Sequence, residues 1–253
     1  MIREGTAAKN LSALMPLLTP QYAARCLFCS DDRHPDDLLM DGHIDAIIRK
    51  AIKEGAEPLL AVRVASLHAA QHFGMNDRGA IAPGYLADLV VVDGLDTFNV
   101  EQVYKNGALS WQKGETLSFD EPKPDSELVS RAKDSFCVKM LSADDFKVEG
   151  ERGVIGLVLG QVVSTNEGLA SKADPDADIL KIAVIERHKG TGHIGVCYLK
   201  GYGLRQGAVA TSIAHDSHNI IAVGTNDEDI AAAANAVVSQ HGGIAVVKDG
   251  EVL

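Results

Sequence analysis

Residues 29–37 read Cys-Ser-Asp-Asp-Arg-His-Pro-Asp-Asp, and they follow the apolar run Arg25-Cys26-Leu27-Phe28-Cys29. Four carboxylates and a histidine therefore stand directly behind a short stretch with the character of a buried strand. Two structures account for such a junction. One is a solvated turn, because Asp, His and Pro are common loop residues. The other is a strand that delivers an Asp to a cation at its C-terminal end, where α/β barrels keep their chemistry. An Asp in that place binds a hard or borderline cation and accepts a proton from water. Composition alone favours the turn.

Working outward, Leu11, Leu14, Leu17 and Leu18 recur at helical spacing, and Pro16 is expected to bend or weaken that helix. Ile44, Ile47, Ile48, Ala51 and Ile52 predict a helix over 44–54 that Gly55 stops. A further helix is expected over 57–73, with Pro58 in its first turn and Gly74 at its end. The character then changes. Pro83-Gly84 marks a turn, 89–92 a buried strand, and 99–104 and 108–112 two strands joined by Lys105-Asn106-Gly107, a strong hairpin signal. Residues 119–128 are rich in proline and charge and read as a linker.

Beyond the linker, strands are expected at 154–163, 179–186, 194–199, 208–214 and 220–223. Thr225-Asn226-Asp227-Glu228 opens an amphipathic helix that runs to about His241. Residues 243–247 and the Asp249-Gly250 turn start a hairpin whose returning strand falls where the chain stops. The chain thus reads as beginning inside a helix-rich unit and ending inside a hairpin.

The bulk properties narrow the function. The chain has 253 residues, 46% of them hydrophobic, enough for a substantial core. A net charge of −11 argues against a nucleic-acid backbone or an anionic membrane as partner. No stretch approaches the roughly 20 apolar residues of a membrane span, and the N-terminus lacks the apolar core of a secretory signal. Cys26, Cys29, Cys137 and Cys197 lie mostly in apolar runs, as expected of reduced thiols in a cytoplasmic protein. The Cys26–Cys29 pair has no second pair or nearby histidine of metal-site type, which favours a structural reading.

Resemblance adds a sharper expectation. The stretch CSDDRHPDDLLMDGHIDAIIRKAI (29–52), followed by ASLHAAQHFGMNDRGAIAPGYLADLVVVDG (65–94), resembles the last strand, last helices and returning β-sandwich of an amidohydrolase. More narrowly, it is similar to bacterial-type adenine deaminases, and REGTAAKNL (3–11) resembles the segment that precedes their final barrel strand. Residues 184–238, with HDSHNI and VGTND, resemble the C-terminal domain that accompanies those enzymes. APGYLADLVV (82–91) is common to many amidohydrolases, whereas SDDRHPDDL and HDSHN point to the adenine-specific branch.

The resemblance implies an α/β architecture. An incomplete TIM-barrel corner over 1–75 and a small β-sandwich segment over 76–118 would be followed by a linker at 119–129. An α+β C-terminal domain over 130–253 would complete it. It further implies hydrolysis of adenine to hypoxanthine and ammonia at a two-metal site holding a divalent ion, manganese or iron. Asp31 would be metal ligand and proton shuttle, and Asp32 would hydrogen-bond near the substrate or support the shell around the site. The small-molecule substrate would be adenine, and the intact enzyme would be a homo-oligomer. The family's remaining ligands, a His-x-His and later histidines, have no counterpart here, because thirty residues precede Asp31 and no His-x-His occurs. The resemblance therefore implies the C-terminal part of such an enzyme.

Other polar groups compete for a role. His68 and His72 stand four apart on an expected helix, a metal-ligand spacing, but without the glutamate of H-E-x-x-H they read as structural or solvated. His215-Asp216-Ser217-His218-Asn219 is either a tight turn in which Asp216 and Asn219 satisfy backbone groups, or a cluster that binds a metal, contacts the purine or closes the barrel mouth, with His215 and His218 as its candidate substrate-binding residues. Two other readings stand beside the enzyme: a non-catalytic module that binds a purine or a protein, and a hydantoinase- or dihydroorotase-like amidohydrolase.

Overall fold

The structure is a computed structural model that describes residues 1–115 and 122–253. Its chain divides into two compact units, residues 1–121 with 160–162, and residues 122–159 with 163–253. Part of the expected linker, and the end of the expected sandwich segment, lie outside the described residues.

The first unit begins with a parallel strand pair, β1 (Ile2–Arg3) and β2 (Phe28–Cys29), in register Ile2↔Phe28 and Arg3↔Cys29. A short helix α1 (Leu11–Leu14) joins them and gives way to a 3₁₀ turn at Met15–Leu17, where Pro16 sits in the first turn. Four helices follow: α2 (Pro35–Met40), α3 (Ile44–Lys53), α4 (Pro58–Ala65) and α5 (Leu67–His72). The apolar stripe of α3 buries Ile47, Ile48 and Ala51 against Ile2, Leu11, Phe28, Leu60 and Val64.

The single helix expected over 57–73 is two. Ser66 Oγ donates to the carbonyl of Val62 at 2.6 Å, and the backbone at Ser66 leaves helical geometry. A serine hydroxyl that satisfies a helix carbonyl loosens the ladder at that point. Glu57 starts α4 by accepting from the amides of Leu59 and Leu60.

An antiparallel sheet then follows, β3 (Leu89–Val92), β4 (Val100–Lys105) and β5 (Ala108–Gln112), with β4 central. Asn106 and Gly107 both have positive φ, as the two-residue hairpin turn requires.

The second unit opens with α6 (Ser126–Lys133), capped by Asp125 in the stretch expected to be linker. Its sheet has eight strands: β6 (Arg152–Leu157), β7 (Ser164–Ala170), β8 (Ile179–Ile185), β9 (Ile194–Lys200), β10 (Ala208–Thr211), β11 (Ile220–Gly224), β12 (Ile244–Lys248) and β13 (Glu251–Val252). Their order is β13-β12-β10-β11-β8-β9-β6-β7, and only β6 and β9 run parallel. β7 escaped the pattern because it is an exposed edge strand with almost no apolar side chain to alternate. The strand expected over 154–163 ends at Leu157. The returning strand expected to be missing is present: Val252 pairs with Val247 and Glu251 with Lys248.

Helix α7 (Asp227–Ser239) lies against β10, β11 and β12. The sheet presents Ala183, Ala208, Ala210, Ala222 and Ala245 to it, so Ile230 and Val237 bury completely, and Phe146 is fully buried in the same cluster. At Gly224 a Cβ would lie 2.6 Å from Ile230 Cγ1, so the close approach needs glycine. Asp229 is 2% exposed and accepts from the side-chain amide of Asn226 and the backbone amide of Gly250, tying the start of α7 to the terminal turn.

Ile230→Ala is expected to destabilise the second unit by about 2–5 kcal/mol, the usual cost of a large-to-small change in a packed core. A lower denaturant midpoint with an unchanged slope checks this.

Candidate functional site

β1 and β2 are parallel, so the loops that leave their C-terminal ends, residues 4–10 and 30–34, emerge side by side. The strand stops at Cys29, and Asp31 takes a left-handed backbone conformation with φ 50°. Its carboxylate pairs with Arg3 Nη1 at 3.1 Å, in a position where both side chains are partly exposed. Asp32 turns the other way. It accepts from the amides of Ala7 at 3.0 Å and Ala8 at 3.1 Å. Burial acts to raise its carboxyl, but the amides of Ala7 and Ala8 outweigh that and hold it below the usual carboxylate range.

Gly5 makes this seat possible. A Cβ there would fall 1.8 Å from Asp32 Oδ1 and 2.7 Å from the carbonyl of Ser30. A second tie lies beside the first. Thr6 Oγ1 donates to Asp37 and accepts from the amide of His34 at 2.9 Å. Arg33 Nε donates to the carbonyl of Gly42 at 2.8 Å, and its Nη2 pairs with Asp41. Glu4 is 6% exposed and paired with Lys50 at 2.5 Å.

The sequence named Asp31 and Asp32 as candidates and did not single out Gly5, Thr6 or Arg3. Their role is spatial, and no spacing along the chain announces it. A cavity of about 700 Å³ lies beside the loops, lined by Gly5, Arg33, Asp37, Arg49 and Trp111 among others, and neither Asp31 nor Asp32 lines it. Most of its charged walls are already matched in ion pairs, such as Arg49 with Asp45.

In the second unit His215 and His218 are both exposed on the connection from β10 to β11, their rings 6.0 Å apart. The connection is a pinned turn. His218 N donates to the Ala214 carbonyl at 2.6 Å, Arg187 Nε donates to the His218 carbonyl at 2.6 Å, and His188 Nε2 lies 2.9 Å from the Ser217 carbonyl. Arg187 itself stacks over Phe136 at 4.2 Å and reaches Ser135 Oγ. The turn expectation gave the backbone bonding to Asp216 and Asn219. The contacts instead fall to Arg187, His188 and Ser217, and Asn219 Oδ1 is buried without a partner.

The Lys189-Gly190-Thr191-Gly192 tip wraps Glu186. Burial acts to raise that carboxyl, yet the amides of Lys189, Thr191 and His188 and the hydroxyl of Thr191 bring it from 4.5 down to about 2.

Of the helical histidines, His68 is buried and His72 is exposed against the edge of Phe73. Among the described residues no group of three or more His, Cys, Asp or Glu side chains is placed to hold a metal ion. With Asp31 turned to Arg3, the side chains present do not by themselves fit a resident divalent ion.

Comparison with known proteins finds matches in both units. Residues 6–110 match the amidohydrolase family, and residues 159–253 match the adenine deaminase C-terminal domain. Over its whole length the chain is 46% identical to an adenine deaminase of Desulfatibacillum aliphaticivorans, 43% to one of Dehalococcoides mccartyi and 41% to one of Geobacillus kaustophilus. Over its whole length the chain is similar to adenine deaminases. It spans 45% of the length of each of those relatives. An amidohydrolase structure from Thermotoga maritima aligns with 44% of this chain and 37% of its own, at 22% identity and a TM-score of 0.30.

The Glu186 seat carries a pH signature. Because its folded value is depressed, the stabilisation is complete above 4.5 and disappears as pH falls toward about 2. The amides of His188, Lys189 and Thr191 are expected to stay protected from exchange at pH 5 and to lose protection toward pH 2. Glu186→Gln should remove that dependence.

Proposed function

We propose that this chain carries part of an adenine deaminase, which hydrolyses adenine to hypoxanthine and ammonia. The observation that supports this most is Asp31 at the end of a parallel strand pair, inside the stretch that matches amidohydrolases, in a chain that also carries the adenine deaminase C-terminal domain. In the reaction, water adds to C6 of the purine, the exocyclic amino group leaves as ammonia, and a carbonyl remains.

Asp31 is the group of this chain that accepts the proton from the attacking water and returns it to the departing nitrogen. A positioned carboxylate that moves a proton in this way contributes about 10²–10⁴-fold to rate. The family expectation is a divalent ion, manganese or iron, in a two-metal site. The described residues bring no such ligand group together, so ligands beyond Asp31 would come from sequence that the longer relatives carry. Asp32 does not serve as a substrate contact in this reading, because Ala7 and Ala8 fill its carboxylate. His215 and His218 are the second unit's candidates for the purine, since exposed imidazoles both stack and hydrogen-bond to ring nitrogens. The intact enzyme is proposed to be a homo-oligomer.

The test is adenine turnover, followed by the ultraviolet change to hypoxanthine, with Mn(II) or Fe(II) supplied. The chain would be co-expressed with the part of the Desulfatibacillum aliphaticivorans relative that it does not match. Turnover is expected, and Asp31→Asn should lower kcat by about 10²-fold or more. Turnover that survives Asp31→Asn undiminished would remove Asp31 from the mechanism.

A further inference from the structure

We propose that Asp32 is a positioning residue, whose carboxylate locks the loop after β1 onto the loop after β2 and so holds Arg3 against Asp31. The inference rests on the reading of Asp31 as the proton carrier and extends it to the residues that aim it.

The Arg3–Asp31 pair is weak by itself. It is a single 3.1 Å contact between side chains 42% and 37% exposed. An ion pair of that exposure is too weak to order two flexible side chains and two loops. Asp31 also sits at φ 50°, where a non-glycine residue persists only if its surroundings hold it.

The neighbouring residue supplies that hold. Asp32 reaches 24 and 25 positions back along the chain to the amides of Ala8 and Ala7. Hydrogen bonds from amides to a charged carboxylate are roughly twice as strong as neutral ones. Those amides stand in the same loop whose first residues leave β1, and the loop is closed by Gly5 N donating to the Ala8 carbonyl at 3.0 Å. Arg3 N is fixed in turn by Asn10 Oδ1 at 2.7 Å. The backbone on both sides of the Arg3–Asp31 pair is thus tied by partners other than the pair itself.

Gly5 is part of the same device. Its backbone does not need a left-handed φ; it needs the space that Asp32 Oδ1 occupies. Thr6, bonded to Asp37 and to the His34 amide, closes the far end of the same junction.

The experiment follows the loop amides and the Arg3 guanidinium by nuclear magnetic resonance in the whole chain, and kcat and KM for adenine in the co-expressed enzyme. Asp32→Ala is expected to speed exchange at Ala7 and Ala8 by about tenfold or more, matching the loss of charge-assisted bonds. It should also abolish the slowed rotation of the Arg3 guanidinium that pairing with Asp31 causes, with α7 amides unchanged. In the enzyme kcat should fall about tenfold with KM within about twofold.

Asp32→Asn keeps one acceptor oxygen in place and should restore much of both signals. Gly5→Ala displaces the carboxylate without removing it and should reproduce Asp32→Ala. Faster exchange at Ala7 and Ala8 with an unchanged Arg3 signal would make Asp32 a local brace only and overturn the proposal. Unchanged exchange in both variants would overturn it too. Absence of adenine turnover in the wild type would instead strike the proposed function, while the Arg3 signal still decides whether Asp32 positions the pair.

Discussion

A carboxylate filled by backbone amides is the interaction that joins the two loops beyond the first unit's strand pair. β1 and β2 are only two residues each, and a two-residue parallel pair cannot by itself place the loops beyond it. Asp32 makes the missing connection. Its two oxygens take amides from the loop after β1, and the approach is so close that Gly5 tolerates no Cβ. Because the carboxylate is most useful to the fold when charged, the amides hold it below the ordinary range despite the burial that opposes them.

Two adjacent aspartates thereby take different work. Asp31 is partly exposed and faces Arg3 across the strand pair, while Asp32 turns inward to the chain. The division comes from backbone geometry. The left-handed turn at Asp31 breaks the simple alternation that an extended strand would impose on consecutive side chains. The same economy appears in the second unit, where Glu186 organises the Lys189–Gly192 tip and Asp229 ties α7 to the terminal hairpin. In each case an acidic residue that looks like surface charge in the sequence is a fastener between segments.

The second sheet is built on a different constraint. Small residues on β8, β10, β11 and β12 let α7 approach closely, and Gly224 is needed where Ile230 packs. Around the His215–Asn219 turn, Arg187 gathers three segments: it stacks on Phe136, bonds Ser135, and holds the His218 carbonyl. The turn's backbone is pinned beneath while its imidazoles are left in solvent, the arrangement that separates structural bonding from groups free to bind.

What the sequence by itself determined is the local part. Helix α3 was legible in the spacing of its isoleucines, the β4–β5 hairpin in Asn106-Gly107, and the opening of α7 in the Thr225–Glu228 stretch, although Asn226 rather than Thr225 is its cap, because each depends on residues within one or two turns of one another. At 30–38 the residues alone favoured a solvated turn, and Asp31 was singled out only through the resemblance. What only the tertiary structure decided is everything that depends on distant partners. The pairing of β1 with β2 joins residues 26 apart, the edge strand β7 has no apolar rhythm of its own, and the break at Ser66 turns on one hydroxyl. The division between Asp31 and Asp32 turns on Arg3, Gly5, Ala7 and Ala8, residues whose types carry no signal until the chain folds back on them. Periodicity records which face a residue shows; it does not record what comes to meet that face.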